Sequence, residues 1–174
     1  MEAREFLTRE TMRDGAPVWI RAIRPDDQAR LAALFDRLSP ESVYFRFFEL
    51  KRSLSARELR YLTELDFERR VVLGACLEPG REAPIVGVAR FDVLPPAGGA
   101  PVRAELGIVV EDAHHNRDIG TLVLKHLLAI AHEKGVEQIT ADVLPQNTKV
   151  LELVANSGVP VRQTLDEGVI HLSL

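Results

Sequence analysis

The chain has 174 residues, a formal net charge of −4, and 46% hydrophobic against 28% charged residues. That length suits one compact domain, residues 1–174, whose core needs no covalent staples. The acidic balance excludes a basic field of the kind nucleic acid requires, so none is expected as partner. A single cysteine, Cys76, rules out an intrachain disulfide and fits a reducing compartment. No apolar run approaches the roughly 20 residues that span a bilayer, and no charged-then-apolar leader opens the chain. A cytoplasmic protein with no membrane partner is the expectation.

Residues 1–16 read as a polar lead-in ending in a turn at Asp14-Gly15. Pro17 to Arg24 alternates around Val18, Ile20 and Ala22 and predicts a half-buried strand. Arg24-Pro25-Asp26-Asp27 stops it and starts a helix with Leu31, Leu34, Phe35 and Leu38 at helical spacing. Ser39-Pro40-Glu41-Ser42 opens a second helix carrying Val43, Phe47 and Leu50 on one face. Ser55-Ala56-Arg57-Glu58 has capping-box spacing and opens a third, with Leu59, Leu62 and Leu65.

Strands follow over Val71–Leu77, Ile85–Leu94 and Val102–Val110, joined by loops rich in proline and glycine. Ile119, Leu122, Val123, Leu127, Ile130 and Ala131 form the stripe of a long helix that Gly135 ends. Ile139–Leu144 is another strand, and Asn147 opens a short helix stopped at Ser157-Gly158. A hairpin turning at Asp166-Glu167-Gly168 closes the chain. A strand meander followed by a strand–helix–strand unit implies an α/β (α+β) fold, with a mixed, mostly antiparallel sheet and helices on both faces.

Val102 to Leu128 is the most informative stretch, because a strand runs through a polar loop into a helix N-terminus. Such a terminus presents unpaired N–H groups and a partial positive charge, a ready anion site. The loop His115-Asn116-Arg117-Asp118-Ile119-Gly120 resembles the pyrophosphate-binding loop of the GNAT family of acyl-CoA N-acetyltransferases, written Gln/Arg-x-x-Gly-x-Gly/Ala. His115 stands where Gln or Arg is usual and Asp118 where the first glycine is usual, while Gly120 fits. The element order is also that of the GNAT fold. The resemblance is closest to the acetyltransferase domain of bacterial protein-lysine acetyltransferases. They share patterns similar to Ile23-Arg24-Pro25-Asp26-Asp27, Leu38-Ser39-Pro40-Glu41-Ser42 and Tyr44-Phe45-Arg46-Phe47-Phe48.

This resemblance implies acetyl-CoA as co-substrate, with its phosphates on His115, Asn116, Arg117, Asp118, Ile119, Gly120 and Thr121. Pantetheine would run beside Leu106, Ile108, Val109 and Val110, and Asn147 would help place it. Asn147 is equally a good N-cap. Glu105 resembles a glutamate that related lysine acetyltransferases place on this strand, where a carboxylate can take the amine's proton, often through water. The bland alternative for Glu105 is a surface glutamate paired across strands with an arginine such as Arg90. Gly107 marks either a close ligand approach or room made for a neighbouring side chain.

Where the family often has a Leu-Tyr pair, this chain has Leu153 and Val154, so no tyrosine acid is assigned. Asp118 just before Ile119 is placed to cap the helix, its carboxylate on the N–H groups of Gly120 or Thr121, donors that a pyrophosphate would want. Among the histidines, His114 and His115 are adjacent and His126 and His132 miss the spacing of helical metal pairs, so no metal is expected. Cys76 reads as packed rather than nucleophilic.

The expected activity is transfer of an acetyl group from acetyl-CoA to an amine acceptor, with protein lysine, an amino acid and a polyamine all open. The alternative is a catalytically degenerate GNAT-fold binding module. A homodimer is an equally open arrangement.

Overall fold

Alternating side chains sort the two sides of one sheet. On the strand Arg70–Cys76 (β3), Val71, Leu73 and Ala75 join one buried cluster, while Val72 and Cys76 join another. The computed structural model describes residues 2–47 and 51–174. Its strands are Leu7–Thr11 (β1), Pro17–Ala22 (β2), β3, Gly87–Val93 (β4), Arg103–Val110 (β5), Gln138–Val143 (β6), Arg162–Asp166 (β7) and Val169–Ser173 (β8). They form an eight-stranded sheet in the order β1-β2-β3-β4-β5-β6-β8-β7. Every pairing is antiparallel except β5 with β6.

Helices cover both faces. The long helix Ile119–Glu133 (α4) sets Ile119, Val123, Leu124 and Leu127 into the larger cluster with Ile20, Leu73 and Phe91. Val154 of Thr148–Ala155 (α5) joins them. On the other face, Gln28–Arg37 (α1) and Ala56–Thr63 (α3) pack Leu31, Leu34, Leu59 and Leu62 against Ile23, Val72 and Ile85. Pro40–Phe47 (α2) lies against β5. Two sequence expectations, Leu50 on the α2 face and Phe48 of the aromatic pattern, fall outside the described residues.

Residues 1–16 are not the lead-in that their polarity predicts. They hold a short 3₁₀ turn, Ala3–Glu5, and the edge strand β1, in register from Leu7 opposite Arg21 to Thr11 opposite Pro17. The one apolar residue of β1, Leu7, points outward, so no hydrophobic alternation betrays the strand. Exposed charges on an edge discourage pairing with another chain.

Two of the N-terminal patterns are braces. Asp27 is fully buried and accepts from Arg21 at 2.7 and 2.8 Å, from the Arg24 N–H at 2.7 Å and from Arg30 at 2.7 Å. Burial alone would raise its pKa, but the hydrogen bonds from Arg21, Arg24 and Arg30 outweigh it and hold the carboxyl well below the usual range. The pair ties β2 to the start of α1. Asp112, beyond β5, accepts from the N–H and hydroxyl of Ser39 at 2.9 and 2.8 Å and from the Ser42 hydroxyl at 2.8 Å. Ser39 in turn caps α2 by accepting from the Ser42 N–H. Arg46 stands one helical turn beyond Ser42, so this brace fixes where its side chain projects. Among the described residues no helix is long and apolar enough to cross a membrane.

Candidate active site

The parallel ladder between β5 and β6 is short. Only Arg103–Gln138, Ala104–Ile139 and Glu105–Thr140 are in register, and beyond them β6 runs on paired only along its other edge, with β8, as far as Val143 opposite Ile170. The strands therefore splay just beyond Glu105. Leu94 donates to the Arg103 carbonyl and Glu111 to that of Val86, so the odd-numbered residues of β5 bond to β4. The even-numbered ones turn their backbone the other way. Ile108 and Val110 thus aim N–H groups into the gap that β6 has left. A cavity of about 250 Å³ fills it, lined by Glu105, Leu106, Gly107 and Ile108 on one side and Ala141, Asp142 and Val143 on the other.

A larger cavity of about 400 Å³ adjoins it, lined by Ile108, Val109 and Val110, by the loop His114–Thr121 and by Asn147. Asn116 and Asp118 have positive φ, +65° and +73°, so the loop doubles back on itself before α4. Turns of this kind gather N–H groups into an anion-binding concavity. Among the described residues no acceptor takes a hydrogen bond from the backbone N–H of Asn116, Arg117, Asp118, Ile119, Gly120 or Thr121. A Cβ on Gly120 would lie 2.3 Å from a methyl of Leu153, so glycine lets α5 pack on the first turn of α4.

Asp118 does not cap α4 as its position predicts. Its left-handed backbone swings the carboxylate onto Arg13 in the β1–β2 turn, which binds it through its backbone N–H at 2.7 Å and its Nε at 2.5 Å. Arg117 reciprocally bonds Asp14 at 3.2 Å. The hairpin turn is thus clamped to the loop by two crossed ion pairs, and the donors of Gly120 and Thr121 are left clear. His115 is half-buried and does not turn Nε2 to the anion cradle, because that nitrogen meets the Val110 carbonyl at 2.8 Å. Asn147 caps α5, its side chain accepting from the Val150 N–H at 3.4 Å, while also lining both cavities.

Glu105 is exposed at the vertex of the splay, on the sheet face that α1 and α3 cover. It is not paired with Arg90. That arginine bonds Asp92, which also takes Arg70 at 2.7 Å. Gly107 makes room for a side chain: a Cβ there would sit 2.7 Å from the Arg46 guanidinium. Arg46 is half-buried and forms no hydrogen bond or ion pair among the described residues, apart from lying 5.0 Å from the Phe47 ring centre. Burial first, and the Arg90 charge second, lower its pKa to about 10. Arg46 was legible only as part of a shared pattern. Arg13 and Lys149, which bonds Asn116 at 3.1 Å, carried no signal because they lie far from the loop in sequence.

Comparison with known proteins follows the same lines. Residues 31–158 match the acetyltransferase (GNAT) family. The GNAT domain of S. lividans PAT is similar over 97% of this chain and 96% of its own, at 31% identity and a TM-score of 0.86. An acetyltransferase of Pseudomonas aeruginosa is 24% identical over 164 residues, 93% of this chain and 86% of that protein. The structure of Salmonella typhimurium yncA with its cofactor acetyl-CoA shares the fold, with a TM-score of 0.70 at 18% identity over 90% of this chain and 92% of the other. Cradle, splayed strands and sequence agree: the chain belongs to the acetyltransferase (GNAT) family.

Proposed function

We propose that residues 1–174 form one acetyltransferase domain that moves the acetyl group of acetyl-CoA to an amine, without a metal. The observation that carries the reading is the gap beyond Glu105, which opens beside a run of unpartnered N–H groups. The N–H groups from Asn116 to Thr121 would hold the phosphates, helped by Arg117. The edge of β5 from Leu106 to Val110, with Asn147 opposite, would hold pantetheine. The relative whose structure contains acetyl-CoA supports this choice of co-substrate.

Acetyl-CoA supplies the acetyl group as a thioester. An N–H of Ile108 or Val110 would meet the carbonyl oxygen as negative charge develops on it. Glu105 takes one proton from the ammonium so that its lone pair can form the C–N bond. When the C–S bond breaks, the second amine proton leaves, so that one proton ends on the thiol and one in solvent. A thiol with a pKa near 8.5 is a fair leaving group, so the absence of tyrosine at Leu153 and Val154 is no obstacle. A CoA-release assay over a panel of amines, with N-acetylated product identified by mass spectrometry, tests the reading. The reading fails if acetyl-CoA binds but no amine is acetylated and Glu105→Gln matches the wild type.

A further inference from the structure

A third cavity, of about 390 Å³, lies between α1, α3 and the face of β4 and β5. Its floor is apolar, made of Leu31, Leu34, Leu38, Leu62 and Val88 with Phe47 at one side. It meets the splayed gap at Arg46, Phe47, Arg90 and Gly107, which line both. Around that junction the charges are unevenly paired. Arg90 and Arg70 share Asp92, and Glu58 takes Lys51 at 2.7 Å. Arg46 and Glu105 have no ion pair among the described residues. They stand side by side, because the Arg46 guanidinium lies on the backbone of Gly107, two residues along β5 from Glu105 and on the same face.

Two residues of strand span about 7 Å, a distance that an ammonium and a carboxylate on one carbon can bridge with a hydrogen bond at each end. A half-buried cation that has a carboxylate nearby but none hydrogen-bonded to it gains when an anion meets it directly. The adjacent floor is large enough for a branched or aromatic side chain. A lysine side chain offers no anion beside its amine, and the rim cations Arg46 and Arg57, neither in an ion pair among the described residues, oppose a basic peptide.

We infer that the acceptor is a zwitterionic α-amino acid with an apolar side chain, its carboxylate on Arg46, its amine at Glu105 and its side chain in the apolar cavity. The inference rests on the acetyl-transfer reading of the same site. It adds the class of amine and assigns Arg46 as the residue that selects it.

The experiment compares leucine, leucinamide and a lysine-containing peptide as acceptors for wild type, Arg46→Gln and Arg46→Lys. Binding of leucine and leucinamide is measured separately by titration calorimetry without acetyl-CoA. Leucine should exceed leucinamide by about 10- to 100-fold in kcat/KM, as loss of a charge-assisted pair implies. Arg46→Gln should abolish that preference by raising KM for leucine, leave KM for acetyl-CoA unchanged, and be partly rescued by Arg46→Lys.

Leucinamide or the peptide equalling leucine would overturn the assignment while leaving acetyl transfer intact. A rise in KM for acetyl-CoA in Arg46→Gln would overturn it by giving Arg46 to the donor. Arg46-dependent leucine binding without turnover would uphold the pocket and sink the enzyme reading.

Discussion

Asp118 is the position at which sequence and structure diverge most, and it allows a quantitative test. A carboxylate seated in the anion cradle, about 4 Å from a phosphate, would repel it by roughly 4 kcal/mol at an effective dielectric near 20. Removing it would then tighten acetyl-CoA binding by nearly 10³-fold. In the structure the carboxylate faces Arg13 instead and is shielded by it. Asp118→Gly should therefore tighten binding by less than about tenfold.

Stability should sort the variants by backbone, since φ is +73° here. Both Asp118→Gly and Asp118→Ala lose the contacts to Arg13, whose guanidinium side chain is 79% exposed, so that loss is about 1–2 kcal/mol at most. Alanine also carries the left-handed penalty of about 1–2 kcal/mol that glycine escapes, offset in part by the extra entropy of glycine in the unfolded chain. The glycine variant should then be the more stable by about 1 kcal/mol, or roughly 2–4 °C in Tm. Titration calorimetry with acetyl-CoA and thermal unfolding by circular dichroism measure both quantities. Tightening of 100-fold or more would place the carboxylate among the phosphate donors and refute the reasoning, as would an alanine variant at least as stable as the glycine one.

Other expected outcomes follow from the same geometry. Glu105→Gln should lower turnover on the order of 10²-fold with acetyl-CoA affinity unchanged, and steady-state kinetics showing full turnover would return Glu105 to the exposed surface. Asp27→Asn leaves Arg21 buried against a neutral partner and should cost about 3–5 kcal/mol, seen as a fall of roughly 10 °C in Tm. Because the folded pKa of Asp27 is depressed, its contribution is present above the unfolded value near 4 and is lost as pH falls below it. Asp27→Asn should therefore flatten the acid limb of the stability profile, and an unchanged limb would contradict the pairing. Gly107→Ala should displace the Arg46 guanidinium, raising the acceptor's KM while thermal unfolding shifts little, and an unaltered KM would show that Arg46 does not need this seat.

The reach of the sequence is easiest to see residue by residue. Val71, Leu73 and Ala75 alternate with Val72 and Cys76, so both faces of β3 could be read directly. The capping box at Ser55 and Glu58 and the glycine stop at Gly135 also lie where spacing puts them. β1 escaped because its pattern is carried by charges and threonines rather than by apolar residues. At the candidate site, Glu105 and the loop could be named through the family resemblance, which rests on a strand and a helix N-terminus close together in sequence. What Asp118 does could not be read, since its partner Arg13 is 105 residues away. Gly107 presented two readings of equal weight, and only the position of Arg46 separates them.

The central claim is that the cradle before α4 and the splayed edge of β5 receive one molecule of acetyl-CoA. Amide hydrogen exchange with and without the ligand at saturating concentration tests this directly. The account predicts slowed exchange at Ile108 and Val110 and across Asn116–Thr121, with β1 outside its turn and the β7–β8 hairpin unchanged. Exchange at Ile108, Val110 and Asn116–Thr121 that millimolar acetyl-CoA leaves unchanged, or protection confined to other elements, would contradict it.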